Sequence, residues 1–279
     1  MDKFVHNDVT LEYEVSGTGL PFVFLHGMGG SVEQIRSVYE PVRGVRLISM
    51  NQQGHGNSGV NWDRYDFNYL GDDVIALMDH IGVEKAVLGG ISMGAAVSLN
   101  AAVRYPERVL QLLLIRNAWT DRPMSEDVQT AYQDLGYALQ NRSIEEFYAS
   151  KGWQIVRKTT DYTRHAFTDT FWDLSCLKYW QKYLILPNQA PVPNVDVLAR
   201  LTMPVTILAC RNDLCHPYEY GSYLAGQIEN ASFLEIPDKD TDSMGHRQRV
   251  NEAIRGMLEE REVGYVKGRT SAANSEPSL

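Results

Sequence analysis

Apolar and polar positions follow two different periods along this chain, and the period predicts which segments are strands. Alternation of apolar and polar residues over 3–6 and 10–16, clearest at Leu11, Tyr13 and Val15, predicts an antiparallel strand pair at the edge of a sheet. Largely apolar runs over 21–25 and 45–50 have strand length without alternation. Such runs are typical of strands covered on both faces.

Helical spacing appears between these runs. Within 66–82, apolar residues recur three and four positions apart and the aspartates fall on the opposite side, which predicts an amphipathic helix. Further strands are predicted over 85–88 and 108–115. Strands that alternate with helices imply right-handed crossovers and a parallel sheet. Ligands of such sheets bind beyond the carboxyl ends of the strands, where the glycine-rich loops 26–31 and 51–59 are expected.

The strand pattern stops after residue 117. No stretch of residues 118–199 reads as a buried strand, aromatic side chains are frequent, and the segment ends in a proline-rich stretch, so we expect an inserted helical segment. Most of its rings are expected to form its own core. Strands resume over 203–209 and 231–236, and a final helix is predicted over 246–261. Residues 263–279 have little apolar content and are expected to form a loose tail.

Composition and charge argue against nucleic-acid binding, membrane binding and a metal site. The 279 residues carry a net charge of −9 and show no basic patch, so nucleic acid is not expected as a partner. No signal peptide or membrane-spanning run is recognisable, which favours a cytoplasmic protein that does not bind membranes. The three cysteines, Cys176, Cys210 and Cys215, have neither disulfide-framework nor zinc-site spacing, and no metal is expected. The oligomeric state is not readable from the sequence.

Gly90, Ser92 and Gly94 form a Gly-x-Ser-x-Gly pentapeptide between a predicted strand and a predicted helix. A serine on so sharp a turn needs small flanking residues, and the turn exposes its hydroxyl. The following helix directs its unpaired N–H groups towards any negative charge that forms there. The pattern favours a nucleophilic Ser92 over a serine that only caps the helix.

With its strand–turn–helix context, this motif resembles the nucleophile elbow of the α/β-hydrolase superfamily. The resemblance covers about residues 3–262. It implies a mostly parallel eight-stranded sheet with helices on both faces, an α/β core over 1–117 and 200–262, and a helical cap over 118–199 that covers the serine. The stretch 51–58 resembles a structural loop of the family, with Asn51 and Gln53 in place of its acid and arginine.

The resemblance also implies a carboxylate and a histidine downstream of the serine. Asp213 follows the predicted strand over 203–209 and matches the family's acid, with Asp121 in reserve. His246 follows the last predicted strand and matches the family's base. The acidic segment 238–242 before His246 departs from the short loop of many relatives. His216 is the fallback, although its closeness to Asp213 in sequence makes the usual acid-to-base contact hard to form.

Two backbone amides are expected to form an oxyanion hole. The resemblance assigns them to Met93, after the nucleophile, and to Met28, in the loop that follows the third strand. His26 is expected to brace that loop rather than to react. His26, Gly27 and Trp119 are the predicted pocket residues.

These residues predict a serine hydrolase in which Ser92 attacks a carbonyl, His246 moves the proton and Asp213 orients His246. A small carboxylic ester or lactone is the expected substrate, and no cofactor is expected. Hydrolysis of a carbon–carbon bond in a diketone and cofactor-free peroxidase activity use the same residues and remain open. The alternative of another class is a ligand-binding homologue without turnover.

Overall fold

An eight-stranded sheet forms the centre of the protein. The computed structural model describes the backbone of residues 1–273 and the side chains of residues 1–259. The strands are β1 (Asp2–His6), β2 (Val9–Gly17), β3 (Leu20–Leu25), β4 (Val45–Asn51), β5 (Ala86–Ile91), β6 (Val109–Ile115), β7 (Val205–Ala209) and β8 (Ala231–Glu235). Their spatial order is β1-β2-β4-β3-β5-β6-β7-β8. Both pairings of β2 are antiparallel and all other pairings are parallel, which confirms the predicted mostly parallel sheet and its antiparallel edge pair.

Helices cover both faces of this sheet. The α-helices are α1 (Val32–Val38), α2 (Phe67–His80), α3 (Met93–Arg104), α4 (Glu126–Asn141), α5 (Ile144–Ala149), α6 (Lys151–Val156), α7 (Asp161–Thr168), α8 (Leu174–Lys178), α9 (Lys182–Ile185), α10 (Tyr218–Gln227) and α11 (Ser243–Ala273). Short 3-10 helices span Trp62–Arg64, Pro106–Arg108, Asp169–Trp172, Leu186–Asn188 and Val195–Arg200.

Alternate residues of a single strand pack into two separate cores. In β3, Phe22 and Phe24 join a core with residues of α1 and α11, whereas Val23 and Leu25 join one with residues of α2, α3 and α10. All four side chains are fully buried. Successive side chains of a strand point to opposite faces, so the continuous apolar run predicted over 21–25 is what a strand between two helical layers requires.

The segment between β6 and β7 consists of short helices joined by loops, contains no strand, and packs against the loop that follows β4. The Tyr179 hydroxyl donates a 2.8 Å hydrogen bond to the carbonyl of Ser58. Lys182, whose side chain is fully buried, donates from Nζ to the carbonyl of Gly54 at 3.2 Å. Burial lowers the pKa of Lys182 to about 8, because the charged ammonium loses its water.

This buried lysine makes stability depend on pH. The unfolded chain keeps its Lys182 proton up to about pH 10.5, whereas the folded chain loses it near 8, so raising the pH through that window favours folding. We expect the free energy of unfolding of the native chain, relative to Lys182→Met, to rise by roughly 3 kcal/mol between pH 8 and 10.5. Guanidinium titrations across that range measure the difference. Lys178→Met serves as the control, because Lys178 is exposed. An equal rise in the free energy of unfolding of the native chain relative to Lys178→Met would contradict the prediction.

The C-terminal helix is longer than the sequence predicts. The predicted helix spans 246–261, whereas α11 begins at Ser243, where Asp242 Oδ1 accepts the Gly245 amide at 2.8 Å, and continues to Ala273. It therefore includes the first part of the predicted loose tail, and residues 274–279 lie outside the described residues. Within the part of the chain that is described, no helix combines the length and apolar character needed to cross a bilayer.

Candidate active site

Ser92 lies on a sharp turn between β5 and α3. Its backbone has φ 57° and ψ −112°, a left-handed φ that L-residues rarely adopt and that is seen where a serine is held at a strand-to-helix turn. A Cβ on Gly90 would lie 2.0 Å from the backbone of Gly94, and one on Gly94 would lie 2.3 Å from the carbonyl oxygen of Leu25. The two glycines are therefore required by close backbone approach, as the Gly-x-Ser-x-Gly motif predicts.

The Ser92 hydroxyl is the first member of a hydrogen-bonded chain of three side chains. Ser92 Oγ lies 2.8 Å from His216 Nε2, and His216 Nδ1 lies 2.8 Å from Asp213 Oδ1. A carboxylate only accepts hydrogen bonds, so Nδ1 carries the ring proton and donates a hydrogen bond to Asp213. Nε2 is then the acceptor for the Ser92 hydroxyl. This arrangement lets a histidine remove the serine proton while an acid holds the imidazole in the required tautomer.

The histidine in this chain is not the one that the sequence predicts. His246, the predicted base, donates from Nδ1 to the carbonyl of Pro237 at 2.7 Å instead of to Asp213. His216, the fallback, takes its place because the loop over 210–217 before α10 brings the side chains of Asp213 and His216, three positions apart, into contact. The reserve acid Asp121 is also elsewhere, 3.9 Å from Arg122.

The sequence reasoning missed a buried arginine beside Asp213. Arg116 directly follows β6 and has a φ of 52°. Its Nε donates to Asp213 Oδ2 at 2.9 Å, its Nη2 also donates to that oxygen, and Nη2 lies 3.2 Å from His216 Nδ1. The side chains of Arg116 and Asp213 are 4% and 7% exposed. A lone arginine belongs to no sequence motif. The one signal in the sequence is its position directly after a predicted strand, at the edge of the sheet where ligands bind.

These charges set the protonation of the site. Burial disfavours ionisation of Asp213, but His216 and Arg116 favour it more strongly, and the pKa of Asp213 lies well below its usual range. Burial also lowers the pKa of His216, and Arg116 lowers it further while Asp213 opposes both. His216 is therefore neutral, and able to accept a proton, at neutral pH.

The loop after β3 is held from behind by two buried histidines. His26 donates from Nδ1 to the carbonyl of Gly27 at 2.8 Å and accepts the Gln52 amide at Nε2. His55 Nε2 lies 2.6 Å from the carbonyl oxygen of Met28. Burial lowers the pKa of His26 to about 4, so it stays neutral and braces the loop. Met28 and Gly27 face the cavity beside Ser92.

Amide side chains brace the second glycine-rich loop in place of the family's acid and arginine. Asn51 Oδ1 accepts the Val32 amide at 3.0 Å, and its Nδ2 donates to Glu12 at 3.2 Å. Gln53 Nε2 donates to Asp73 Oδ2 at 2.8 Å. The substitutions therefore keep the loop connected to its surroundings through hydrogen bonds of amides.

A cavity of about 290 Å³ opens onto Ser92 and His216. Tyr132, Tyr162 and Tyr183 line it from the helical segment, as do the exposed carboxylates Asp169 and Asp173. The lining is therefore more polar than the aromatic content of the segment alone suggests.

Two of the three predicted pocket residues are placed elsewhere. Gly27 lines the cavity, but His26 is fully buried behind the loop. Trp119 is 1% exposed, packs edge-on against Phe67 and donates from Nε1 to the carbonyl of Leu186 at 3.3 Å. Its early position after β6 places it under the helical segment, where the indole N–H finds a backbone partner. Among the described side chains, no three His, Cys, Asp or Glu residues group as metal ligands.

Comparisons with known proteins agree with this fold. A family model described as alpha/beta hydrolase fold matches residues 21–144. The 2-hydroxy-6-oxo-6-phenylhexa-2,4-dienoate hydrolase of Comamonas testosteroni is 32% identical over 252 residues, which cover 81% of this chain and 82% of the relative. The enol-lactonase of Burkholderia xenovorans LB400 superposes with a TM-score of 0.73 at 16% identity, over 92% of this chain and 99% of that structure. A thermophilic esterase of Thermogutta terrifontis superposes with a TM-score of 0.67 at 24% identity, over 90% and 94% of the two chains.

Proposed function

Because this chain belongs to the α/β-hydrolase superfamily, we propose that it is a serine hydrolase that cleaves a small carboxylic ester or lactone. The observation that carries the proposal is the 2.8 Å contact between Ser92 Oγ and His216 Nε2, with Asp213 on the other ring nitrogen. A serine hydroxyl is a weak nucleophile unless such a base accepts its proton.

In the proposed reaction, Ser92 Oγ attacks the substrate carbonyl carbon while its proton moves to His216 Nε2. The resulting imidazolium is stabilised by Asp213, which stays ionised. His216 then gives the proton to the leaving alkoxide, and an acyl group remains on Ser92. A water molecule gives up a proton to His216 and attacks the acyl carbon, and the acid is released as Ser92 regains its proton.

The oxyanion formed in each attack needs donors that are already in position. We assign them to the backbone amides of Met28 and Met93. Met93 is the first residue of α3, where backbone N–H groups have no acceptor within the helix. Met28 lines the cavity beside Ser92, and its carbonyl is held by His55 on the far side.

The cavity supports a small substrate with polar groups. Its volume of about 290 Å³ lies at the lower end of ligand pockets, which span roughly 300–1,000 Å³. Three tyrosines and Thr170 line it. The hydroxyls of Tyr132 and Tyr183 donate to Cys215 and Cys176, and Thr170 donates to the carbonyl of Phe167, so their oxygens remain as hydrogen-bond acceptors. Such acceptors suit an acyl or alcohol part that carries hydroxyl groups better than a long hydrocarbon chain.

The proposal is tested by turnover and by labelling. We expect the purified chain to hydrolyse p-nitrophenyl acetate and butyrate or simple lactones, and an organophosphonate to label it once, on the peptide that contains Ser92. Heat-unfolded protein is the control, and it should not be labelled. The absence of both turnover and labelling in the folded chain would favour a ligand-binding homologue that does not catalyse a reaction.

Hydrolysis of a carbon–carbon bond in a diketone-type substrate is the second candidate. It is favoured by the relative that is 32% identical, which is named as the hydrolase of 2-hydroxy-6-oxo-6-phenylhexa-2,4-dienoate. The same nucleophile and base would serve it. A value of kcat/KM for such a dienoate above the values for esters and lactones would replace the first candidate with this one.

Arg116 should determine the pH range of the reaction. Its charge lowers the pKa of His216, in addition to the larger effect of burial, so Arg116→Met should raise that pKa. The base must be neutral to act, and the acid limb of the kcat/KM profile should therefore move to higher pH. Arg116→Lys keeps the positive charge and should leave the limb near its native position. An acid limb that stays in place, or moves to lower pH, in Arg116→Met would contradict the prediction.

A further inference from the structure

A second cavity lies next to the catalytic one, and two residues line both cavities. It has a volume of about 280 Å³ and is lined by Ile91 and Arg116, which also line the cavity that contains Ser92. Its remaining walls come from the end of α1, from Lys239 and from the first two turns of α11. Nothing in the proposed reaction uses this space.

The cavity contains a hydrogen-bond acceptor that has no donor among residues 1–259. His246 is 4% exposed, and its Nδ1 lies 2.7 Å from the carbonyl of Pro237. A carbonyl only accepts hydrogen bonds, so Nδ1 carries the proton of the neutral ring and Nε2 has a free lone pair. Burial lowers the pKa of His246 to about 4, which keeps the ring neutral. Among residues 1–259, no group donates to this Nε2, and since His246 lines the cavity, its lone pair is available to a molecule bound there.

Two positively charged side chains that line the cavity form no ion pair within residues 1–259. Within residues 1–259, neither Lys239 nor Arg247 has an acidic side chain at ion-pair distance, whereas the charge of Arg116 is opposed by Asp213. Lys239 donates one hydrogen bond, to the Tyr162 hydroxyl at 2.9 Å, and retains two further N–H donors. None of the described residues that line the cavity is acidic, and the aspartates of the segment 238–242 accept hydrogen bonds from groups outside it. A small anion in the cavity would therefore meet positively charged side chains and, in the described lining, no carboxylate.

The rest of the lining is apolar. Val38, Ile115 and Val250 contribute aliphatic surface beside these polar groups. We propose that this cavity binds a small hydroxycarboxylate: the carboxylate faces Lys239 and Arg247, the hydroxyl donates to His246 Nε2, and a short aliphatic part contacts the apolar wall. Ring-opened lactones belong to this chemical class, but the site stands on its own residues and needs no turnover.

Calorimetric titration of the full chain with 3-hydroxyhexanoate, and with hexanoate as the analogue without the hydroxyl, tests the proposal. We expect 3-hydroxyhexanoate to bind several-fold more tightly, because only it offers a donor to His246. His246→Phe should remove that difference. Arg247→Gln should weaken both ligands about tenfold, in line with the loss of one charged hydrogen bond. Arg249→Gln is the matched control, since Arg249 is on the same helix, pairs with Glu252 and does not line the cavity.

The catalytic cavity is the competing place for these ligands. Ala166 is exposed and lines only that cavity, so Ala166→Trp should fill it and leave the affinity for 3-hydroxyhexanoate unchanged. Loss of binding in Ala166→Trp together with unchanged binding in Arg247→Gln would overturn the proposal in favour of the catalytic cavity. No measurable heat at roughly 10 mM ligand, far above the affinity of a built site, would overturn it as well.

Discussion

Replacing His216 by alanine should lower kcat by about 10⁵-fold or more, because Ser92 would lose the group that accepts its proton. His216 Nε2 lies 2.8 Å from Ser92 Oγ, and Asp213 holds the other ring nitrogen. His246→Ala should lower kcat by at most about tenfold, because the ring of His246 is hydrogen-bonded to the carbonyl of Pro237 and to neither Ser92 nor Asp213. Steady-state turnover of the best ester from the substrate panel, measured on both variants side by side, compares the two histidines directly.

The comparison contains its own control, because both substitutions remove the same ring from a position with little exposed area: the His216 side chain is 12% exposed and His246 is 4% exposed. Circular dichroism and the thermal midpoint should show that each variant is folded. An inactive His246→Ala and an active His216→Ala would contradict the prediction. That result would mean that the segment before α11 rearranges in the working enzyme to bring His246 to Ser92.

The fold was largely readable from the sequence because its signals are local. A strand between two helical layers must be apolar at every position, and 21–25 shows this directly. The turn at Ser92 is fixed by backbone crowding at Gly90 and Gly94, which only residues without a bulky side chain satisfy. The extent of α11 was less readable, since a polar helix end carries no apolar period to mark where it stops.

The choice of the base was not readable because it depends on side-chain directions in two loops. Sequence order places His246 where the family carries its base, and the closeness of His216 to Asp213 in sequence makes His216 only the fallback. In the structure, that closeness lets one short loop supply both residues. The buried charge of Arg116 was equally hidden, because its partner Asp213 lies 97 positions away along the chain.

Ser92→Ala should have the largest effect of all, a loss of about 10⁶-fold in kcat, since no acyl-enzyme can form without the hydroxyl. Substrate binding should change little, because a single oxygen atom is removed from the cavity wall. We therefore expect the loss in kcat with KM within a few-fold of the native value, and no labelling by an organophosphonate. Burst-phase and steady-state assays with a p-nitrophenyl ester measure the effects on kcat and on KM separately.

Ser98→Ala is the matched control for this prediction. Ser98 lies on α3 as well, is fully buried, and its hydroxyl has no hydrogen-bond partner among the described residues. Removing that hydroxyl should leave turnover intact and should not lower the thermal midpoint, because an unsatisfied buried oxygen contributes no stability. Turnover in Ser92→Ala within about tenfold of the native rate would exclude Ser92 as the nucleophile, since a residual rate from binding and oxyanion stabilisation alone is far smaller than that.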